Sequence, residues 1–304
     1  MNAGELSVDV VVVGGGFTGL STALNLAERG SKVAVLEGVE IGFGGSGRNV
    51  GLVNAGMWVM PDDLPGVLGQ KYGDRLLETL GNGPKMVFER IDKHNIACEA
   101  TRTGTLHCAV GQKGLAELKD RAEQWQRRGA PVTLLSAEET AAKVGTKAYS
   151  GSLLDMRAGT IQPMAYVRGL AQAAISAGAQ VFTGSPVVST TRQGNDWLVK
   201  TAQGTMRAQW IVVATNAYTQ APWPQVRAEI MHLPYFNLAT KPLSIHVLPM
   251  LCEYRFRYCA TRQHCRKSNG RTGHNDRRRA PAWYPTRPDA PAKSALATLL
   301  KAAW

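Results

Sequence analysis

The sequence predicts an α/β fold: a twisted parallel sheet with helices packed on it, and an antiparallel portion interleaved along the chain. Three observations predict it. Val8 to Val13 is a short β-branched run that breaks into Gly14-Gly15-Gly16, as a strand buried on both faces does. Leu20, Ala23, Leu24, Leu26 and Ala27 then recur at helical spacing until Gly30. Lys32-Val33-Ala34-Val35-Leu36 forms a second buried strand that ends on Glu37.

Together these elements make one β-α-β unit, and Gly14-Gly15-Gly16-Phe17-Thr18-Gly19 at its first turn matches G-x-G-x-x-G. Each part has a physical job. Gly14 permits the tight turn, Gly16 lets the backbone approach a pyrophosphate, and Gly19 lets helix and strand pack closely. The helix N-terminus presents unpaired N–H groups, that of Thr18 among them, and a positive dipole end to a phosphate. Glu37 can accept both ribose hydroxyl hydrogens of an adenosine and would repel the 2′-phosphate of NADP. Strand, helix, second strand and acid in register are stronger than the glycine pattern alone. They imply a dinucleotide, and leave NAD and FAD both open.

The next segment, Ile41-Gly42-Phe43-Gly44-Gly45-Ser46-Gly47-Arg48-Asn49-Val50-Gly51-Leu52-Val53-Asn54, is rich in glycine. Small residues such as Gly45 allow the backbone to run beside a large flat ligand. Ser46 and Asn49 are suited to capping a following helix, and Arg48 is a candidate phosphate partner.

Residues 62–96 and 112–128 read as helices with apolar faces, carried by Leu64, Val67, Leu68, Leu76, Leu77 and Leu80 in the first. Leu115, Leu118, Ala122 and Trp125 carry the second. Gly104 to Val110 reads as a strand. Met164 to Ala177 reads as a helix opened by Pro163 and closed by Gly178. Short strands follow at Gln180–Thr183, Val187–Thr191, Trp197–Thr201, Thr205–Ala208 and Trp210–Ala214. His94, His107 and His232 are isolated and read as structural. Cys98 and Cys108 read as buried thiols.

Several segments together resemble the D-amino-acid-oxidase-like flavoproteins, nearest to their gamma-glutamylputrescine oxidase branch. They are Val-Val-Gly-Gly-Gly-Phe-Thr-Gly-Leu-Ser at 12–21, Val-Leu-Glu at 35–37 and Ile-Gly-Phe-Gly-Gly-Ser-Gly-Arg-Asn at 41–49. Further along come Gly104-Thr105-Leu106, Ala158-Gly159-Thr160-Ile161-Gln162-Pro163 and Val212-Val213-Ala214-Thr215-Asn216-Ala217-Tyr218. The resemblance covers about the first 240 residues and departs at Val50, where the family usually carries a glycine.

The resemblance implies a Rossmann-like FAD domain from segments near 1–60 and 150–220, interleaved with part of an antiparallel substrate domain within 1–244. It implies FAD as cofactor, a small-molecule amine such as gamma-glutamylputrescine as substrate, and oxygen or another electron acceptor. It places Ser46, Arg48 and Asn49 beside the flavin, a backbone group of Val187 against the adenine, and Ala214 near the cofactor. Gly14, Gly15, Gly16, Thr18, Gly19, Glu37 and Gly45 complete the implied cofactor set. No side chain is assigned a catalytic role, and the chemistry needs no metal. An NAD-dependent dehydrogenase and a non-catalytic dinucleotide-binding remnant are the alternatives.

The formal charge of +12 is uneven. Residues 245–304 hold 12 Lys and Arg against 3 Asp and Glu, a net of +9, which leaves +3 for residues 1–244. This last stretch, with Arg277-Arg278-Arg279 and Pro281, Pro285, Pro288 and Pro291, shows neither strand alternation nor helical stripes. Its composition is that of a GC-rich gene read out of frame. The expectation is therefore a basic, disordered, non-homologous tail from a frameshift near 244, with an impaired oxidase as the consequence. A nucleic-acid-binding tail and a zinc site from Cys252, Cys259, His264, Cys265 and His274 fit less well, since the spacings lack ligand pairs. No nucleic-acid partner is expected. Composition, with 44% hydrophobic and 19% charged residues, is globular. No apolar run approaches the roughly 20 residues of a membrane span. Five cysteines and no basic-then-apolar leader point to the cytoplasm.

Overall fold

The structure is a computed structural model, and it describes residues 5–219 and 222–230. The elements run β1 (Glu5–Val13), α1 (Phe17–Ala27), β2 (Val33–Leu36), α2 (Gly45–Arg48), β3 (Leu52–Val53), α3 (Asp63–Leu68), α4 (Gln70–Lys93) and β4 (Thr105–Ala109). They continue with α5 (Gly111–Gln126), β5 (Val132–Leu135), α6 (Ala137–Val144), β6 (Gly151–Asp155), β7 (Gly159–Thr160) and α7 (Pro163–Ser176). The last are β8 (Gln180–Phe182), β9 (Ser189–Gln193), β10 (Asp196–Lys200), β11 (Thr205–Val213), a 3-10 turn (Asn216–Tyr218) and α8 (Pro224–Ala228).

The chain divides into two units. Within the described residues the first comprises 5–51, 88–100 and 161–230, and the second 52–87 and 101–160.

The first unit is a six-stranded sheet in the order β8-β2-β1-β11-β10-β9. β8, β2, β1 and β11 run parallel, whereas β9 and β10 are antiparallel additions. Val11 and Val12 at the centre of β1 are fully buried, as a strand flanked on both sides requires. α1 buries Gly19 and, of the predicted face, Leu20, Ala23, Leu24 and Ala27, while Leu26 is half-buried; α7 buries Tyr166, Val167, Leu170, Ala173 and Ala174. The small residues let the two helices touch each other. α1 ends at Gly30, whose φ of 86° suits only a residue without Cβ. α7 starts on Pro163, and the Gln162 side chain accepts a hydrogen bond from the Ala165 N–H at 2.5 Å.

The second unit holds a three-stranded antiparallel sheet, β4-β6-β5, and the short β3-β7 pair. Leu64, Leu77, Leu118, Ala122, Trp125, Val132 and Leu153 form its core. Arg121 is buried there, and its guanidinium donates to the carbonyls of Met57, Trp58 and Val59 at 3.2, 2.8 and 3.4 Å.

Three expectations need correction. The helix predicted over 62–96 is two helices, α3 and α4, because Gly69 has φ 81°. Pro84 lies inside α4 without ending it. It has no N–H to give the Leu80 carbonyl, which instead accepts from the Gly56 N–H at 3.3 Å. The strands predicted at 205–208 and 210–214 are the single β11, which pairs with β1 on both sides of Gln209, Val8 with Ala208 and Val10 with Trp210. The strand predicted from Val187 starts at Ser189. The pattern does not mark β3, β5, α6, β6, β7, the 3-10 turn or α8. α6 nevertheless carries a full start signal. Ser136 and Glu139 form a reciprocal capping box, and Gly145 closes the helix at φ 77°.

Among the described residues no helix is long and apolar enough to cross a membrane, and no cluster of His, Cys, Asp or Glu could hold a metal ion. The tail beyond residue 244, His232 and the cysteines at 252, 259 and 265 lie outside the described residues.

Candidate functional site: a glycine-built cradle for a dinucleotide

All twelve residues singled out from the sequence lie in the first unit. They gather at the C-terminal ends of β1, β2 and β11, where a doubly wound sheet opens its crevice.

The first turn is shaped by what its glycines touch. Gly14 has φ 112°, and a Cβ there would lie 2.6 Å from the Ala214 carbonyl oxygen. Ala214 in turn donates its N–H to the Val13 carbonyl at 2.8 Å, so the end of β11 closes against this turn. A side chain on Gly19 would collide with the Gly14 carbonyl, which explains the close approach of α1 to β1. A Cβ on Gly16 would lie 2.8 Å from Ser46 Oγ.

Gly16 is the N-cap of α1 and has no side chain to cap it. Ser46 does this from a distance: its Oγ accepts the Phe17 N–H at 2.9 Å. Thr18 is exposed on the first turn, where helix N–H groups have no intrahelical partners. The expectation that Ser46 caps a following helix is corrected, since it caps the earlier α1. Its hydroxyl hydrogen stays available to donate towards an anion at the same terminus.

Glu37 is fixed at both oxygens. Oε2 accepts the Gly15 N–H at 2.6 Å and Oε1 the Val39 N–H at 2.9 Å. Its backbone joins the next strand: Glu37 N–H donates to the Phe182 carbonyl, and the Glu37 carbonyl accepts from Ser185 N–H, each at 2.8 Å. A carboxylate has about four acceptor positions, so two remain for ribose hydroxyls. Val187 follows on the same segment. Among the described residues neither its N–H nor its carbonyl has a hydrogen-bond partner, as a backbone edge that recognises an adenine requires.

Asn49 closes α2. Its side-chain amide donates to the carbonyls of Gly45 and Ser46 at 3.1 and 2.9 Å, and its Oδ1 accepts the Gly51 N–H at 2.8 Å. The departure at Val50 is absorbed here: Gly51 carries the positive φ, 78°, while Val50 does not. Arg48 stacks its guanidinium 4.4 Å above the Phe43 ring. Gly45 has open space where a Cβ would be, so no protein neighbour requires a glycine there.

Two further residues shape this loop without having been singled out. The Tyr218 ring covers Gly44, and Met164 lies against Gly42 and Gly47. Asn-Ala-Tyr at 216–218 stands out in the sequence, but no spacing rule links it to Gly44, 174 residues earlier.

The family model described as FAD dependent oxidoreductase matches residues 9–303.

The chain belongs to that family. FAD therefore replaces the open choice between NAD and FAD, and the residues present fit it. A helix terminus with first-turn N–H groups to spare, a fixed carboxylate with spare acceptors and an unpaired backbone edge follow one another along the crevice.

Among curated relatives, gamma-glutamylputrescine oxidoreductase of Escherichia coli (strain K12) is 39% identical over 220 residues, covering 70% of this chain and 50% of that protein. The probable oxidoreductase OrdL of Haemophilus influenzae is 34% identical over 247 residues, covering 78% and 56%. The chain thus spans about half the length of these relatives. Among solved structures, glycine oxidase from Geobacillus kaustophilus superposes with a TM-score of 0.61 at 24% identity. That match covers 73% of this chain and 58% of the other, and shows the shared fold.

Proposed function

We propose that the first unit holds FAD and that the protein oxidises the carbon beside an amine, with gamma-glutamylputrescine or a related amine or amino acid as substrate and oxygen or another acceptor taking the electrons. The observation that carries this is the carboxylate of Glu37 fixed by Gly15 N–H at 2.6 Å beside the start of α1, whose N-cap Gly16 has no side chain and whose Phe17 N–H is held by Ser46. The 39% identity to the Escherichia coli gamma-glutamylputrescine oxidoreductase supports the substrate class.

In this reading Glu37 accepts the ribose hydroxyls. Gly14, Gly15, Gly16 and Gly19 bring the backbone close, and the N–H groups around Thr18 face the diphosphate with the dipole of α1 behind them. Ser46 keeps the Phe17 N–H while donating its own hydrogen to a phosphate oxygen. Arg48, steadied on Phe43, adds positive charge to the same loop. Val187 offers its backbone N–H and carbonyl to the adenine. Gly45 leaves room for a planar ring, Asn49 holds the loop that frames it, and Ala214 backs the turn at Gly14. Bound FAD supplies the two-electron acceptor that side chains lack. The protein's part is to position the neutral amine and keep water from the reacting carbon.

The test is turnover. The full chain, supplied with FAD, is assayed for peroxide release and dye reduction with gamma-glutamylputrescine, putrescine, glycine and proline. Amine-dependent electron transfer supports the proposal. FAD binding with no reduction by any amine would move the substrate to another class.

A further inference from the structure

In the loop from Ile41 to Arg48, Gly42, Gly44 and Gly47 each have a neighbour where a Cβ would be, and Tyr218 fills the place left at Gly44. Its Cε2, Cδ2 and Cζ lie 2.8, 3.2 and 3.5 Å from where a Gly44 Cβ would be. The tyrosine is delivered by the 3-10 turn Asn216–Tyr218, directly after β11. In that turn Asn216 has φ 45°, a left-handed value that asparagine tolerates better than most residues with a side chain. Two hydroxyls hold it in place. Thr215 Oγ1 and Thr219 Oγ1 are 2.6 Å apart, and Thr219 Oγ1 also donates to the Asn216 carbonyl at 2.6 Å. Thr219 is buried at 2% exposure, whereas Tyr218 is 50% exposed. Core packing therefore does not account for the half-exposed ring that this turn lays on a glycine.

The same short stretch touches both glycine turns, since Ala214 abuts Gly14 and Tyr218 abuts Gly44. Gly44 precedes Gly45, which has open space above it, and Ser46, which holds the Phe17 N–H. Movement of Gly44 passes to both. The ribose end is anchored separately, by Gly15 and Val39 on Glu37.

We propose that Tyr218 is a positioning residue that, through its contact with Gly44, sets the Gly44–Ser46 backbone against the ring end of FAD. This rests on the FAD reading above.

The test uses the full chain titrated with FAD and, separately, with AMP, which occupies only the adenosine half. Tyr218→Ala is expected to weaken FAD about tenfold, the scale of one lost aromatic contact, and to blur the fine structure of the bound flavin's visible bands. AMP affinity should stay within about twofold of the parent. Tyr218→Phe should restore both FAD affinity and spectrum, since the contact uses the ring and not the hydroxyl. Gly44→Ala, which leaves Tyr218 in place but forces ring and loop apart, should reproduce the alanine pattern. Parental FAD affinity and spectrum in Tyr218→Ala and Gly44→Ala would overturn the proposal alone. Equal weakening of FAD and AMP would also overturn it, by making Tyr218 a general structural residue. A parent chain that binds AMP but not FAD would overturn the underlying reading, and the proposal with it.

Discussion

The Oε2 of Glu37 accepts the Gly15 N–H at 2.6 Å across 22 residues of sequence. This bond ties the tip of β2 to the glycine turn after β1, and it fixes the carboxylate before any ligand arrives. Its other oxygen is steadied by Val39 N–H. Ribose recognition and turn geometry are thus coupled through one side chain.

Glu37→Ala removes acceptors from two backbone donors and, in the FAD reading, from the ribose. Titration with FAD and with AMP should show both weakened by about 1–3 kcal/mol. The unliganded protein should also melt earlier, because Gly15 and Val39 lose their partner. Parental affinity for both ligands would remove the ribose role.

Gly14 and Gly45 separate fold from ligand. Gly14→Ala meets a left-handed φ and the Ala214 carbonyl at 2.6 Å. It should destabilise the unliganded protein by roughly 2–4 kcal/mol in chemical denaturation. A Cβ on Gly45 meets nothing. Gly45→Ala should leave the denaturation midpoint unchanged or slightly raised, yet weaken FAD. Undiminished FAD affinity in that variant would show that the open space above Gly45 is not where the ring lies.

The predicted elements of the first unit were legible because their signals are local. Val8–Val13, the glycine turn and Glu37 sit within one β-α-β spacing, and one ligand explains them all. Ser46 was legible as a capping residue but not in its target, since the N-terminus it caps lies 29 residues earlier. Val187 was read as strand because β-branched residues favour strands. The ladder starts only at Ser189, which leaves the Val187 backbone unpaired. In the second unit, the Ser136–Glu139 capping box marks α6 in plain sequence, yet β5 and β6 are short and their alternation is weak. Their pairing is long-range, and no local rule shows it.

His107, half-buried on β4 and edge-on to Trp58, has its pKa lowered from 6.5 by burial first and by the charge of Arg121 second, with Glu117 opposing. The native state therefore binds this proton less readily than the unfolded state. Stability is intact above the unfolded value of 6.5 and falls as pH drops from there towards the lowered pKa. The melting temperature of the parent should decline more steeply than that of His107→Gln on acidification through this window. Parallel declines would contradict the burial of the neutral ring.

Arg121 gathers three carbonyls of the 57–59 loop, while its Nε is buried without a partner among the described residues. Arg121→Met should cost about 3 kcal/mol in denaturant unfolding, because three carbonyls lose a charged donor. Arg121→Lys should recover little of it, since a single ammonium cannot span the three acceptors that the planar fork reaches. Full recovery by lysine would mean that charge alone holds the loop.

The central claim is that the crevice beside Glu37 and α1 holds FAD. The direct measurement is equilibrium titration of the full chain with FAD, followed by flavin fluorescence and visible absorbance, with NADH as competitor. The account predicts saturable binding of one FAD per chain, displaced by AMP, weakened by about 1–3 kcal/mol in Glu37→Ala, and indifferent to NADH. A chain that binds NADH and takes up no FAD would contradict it.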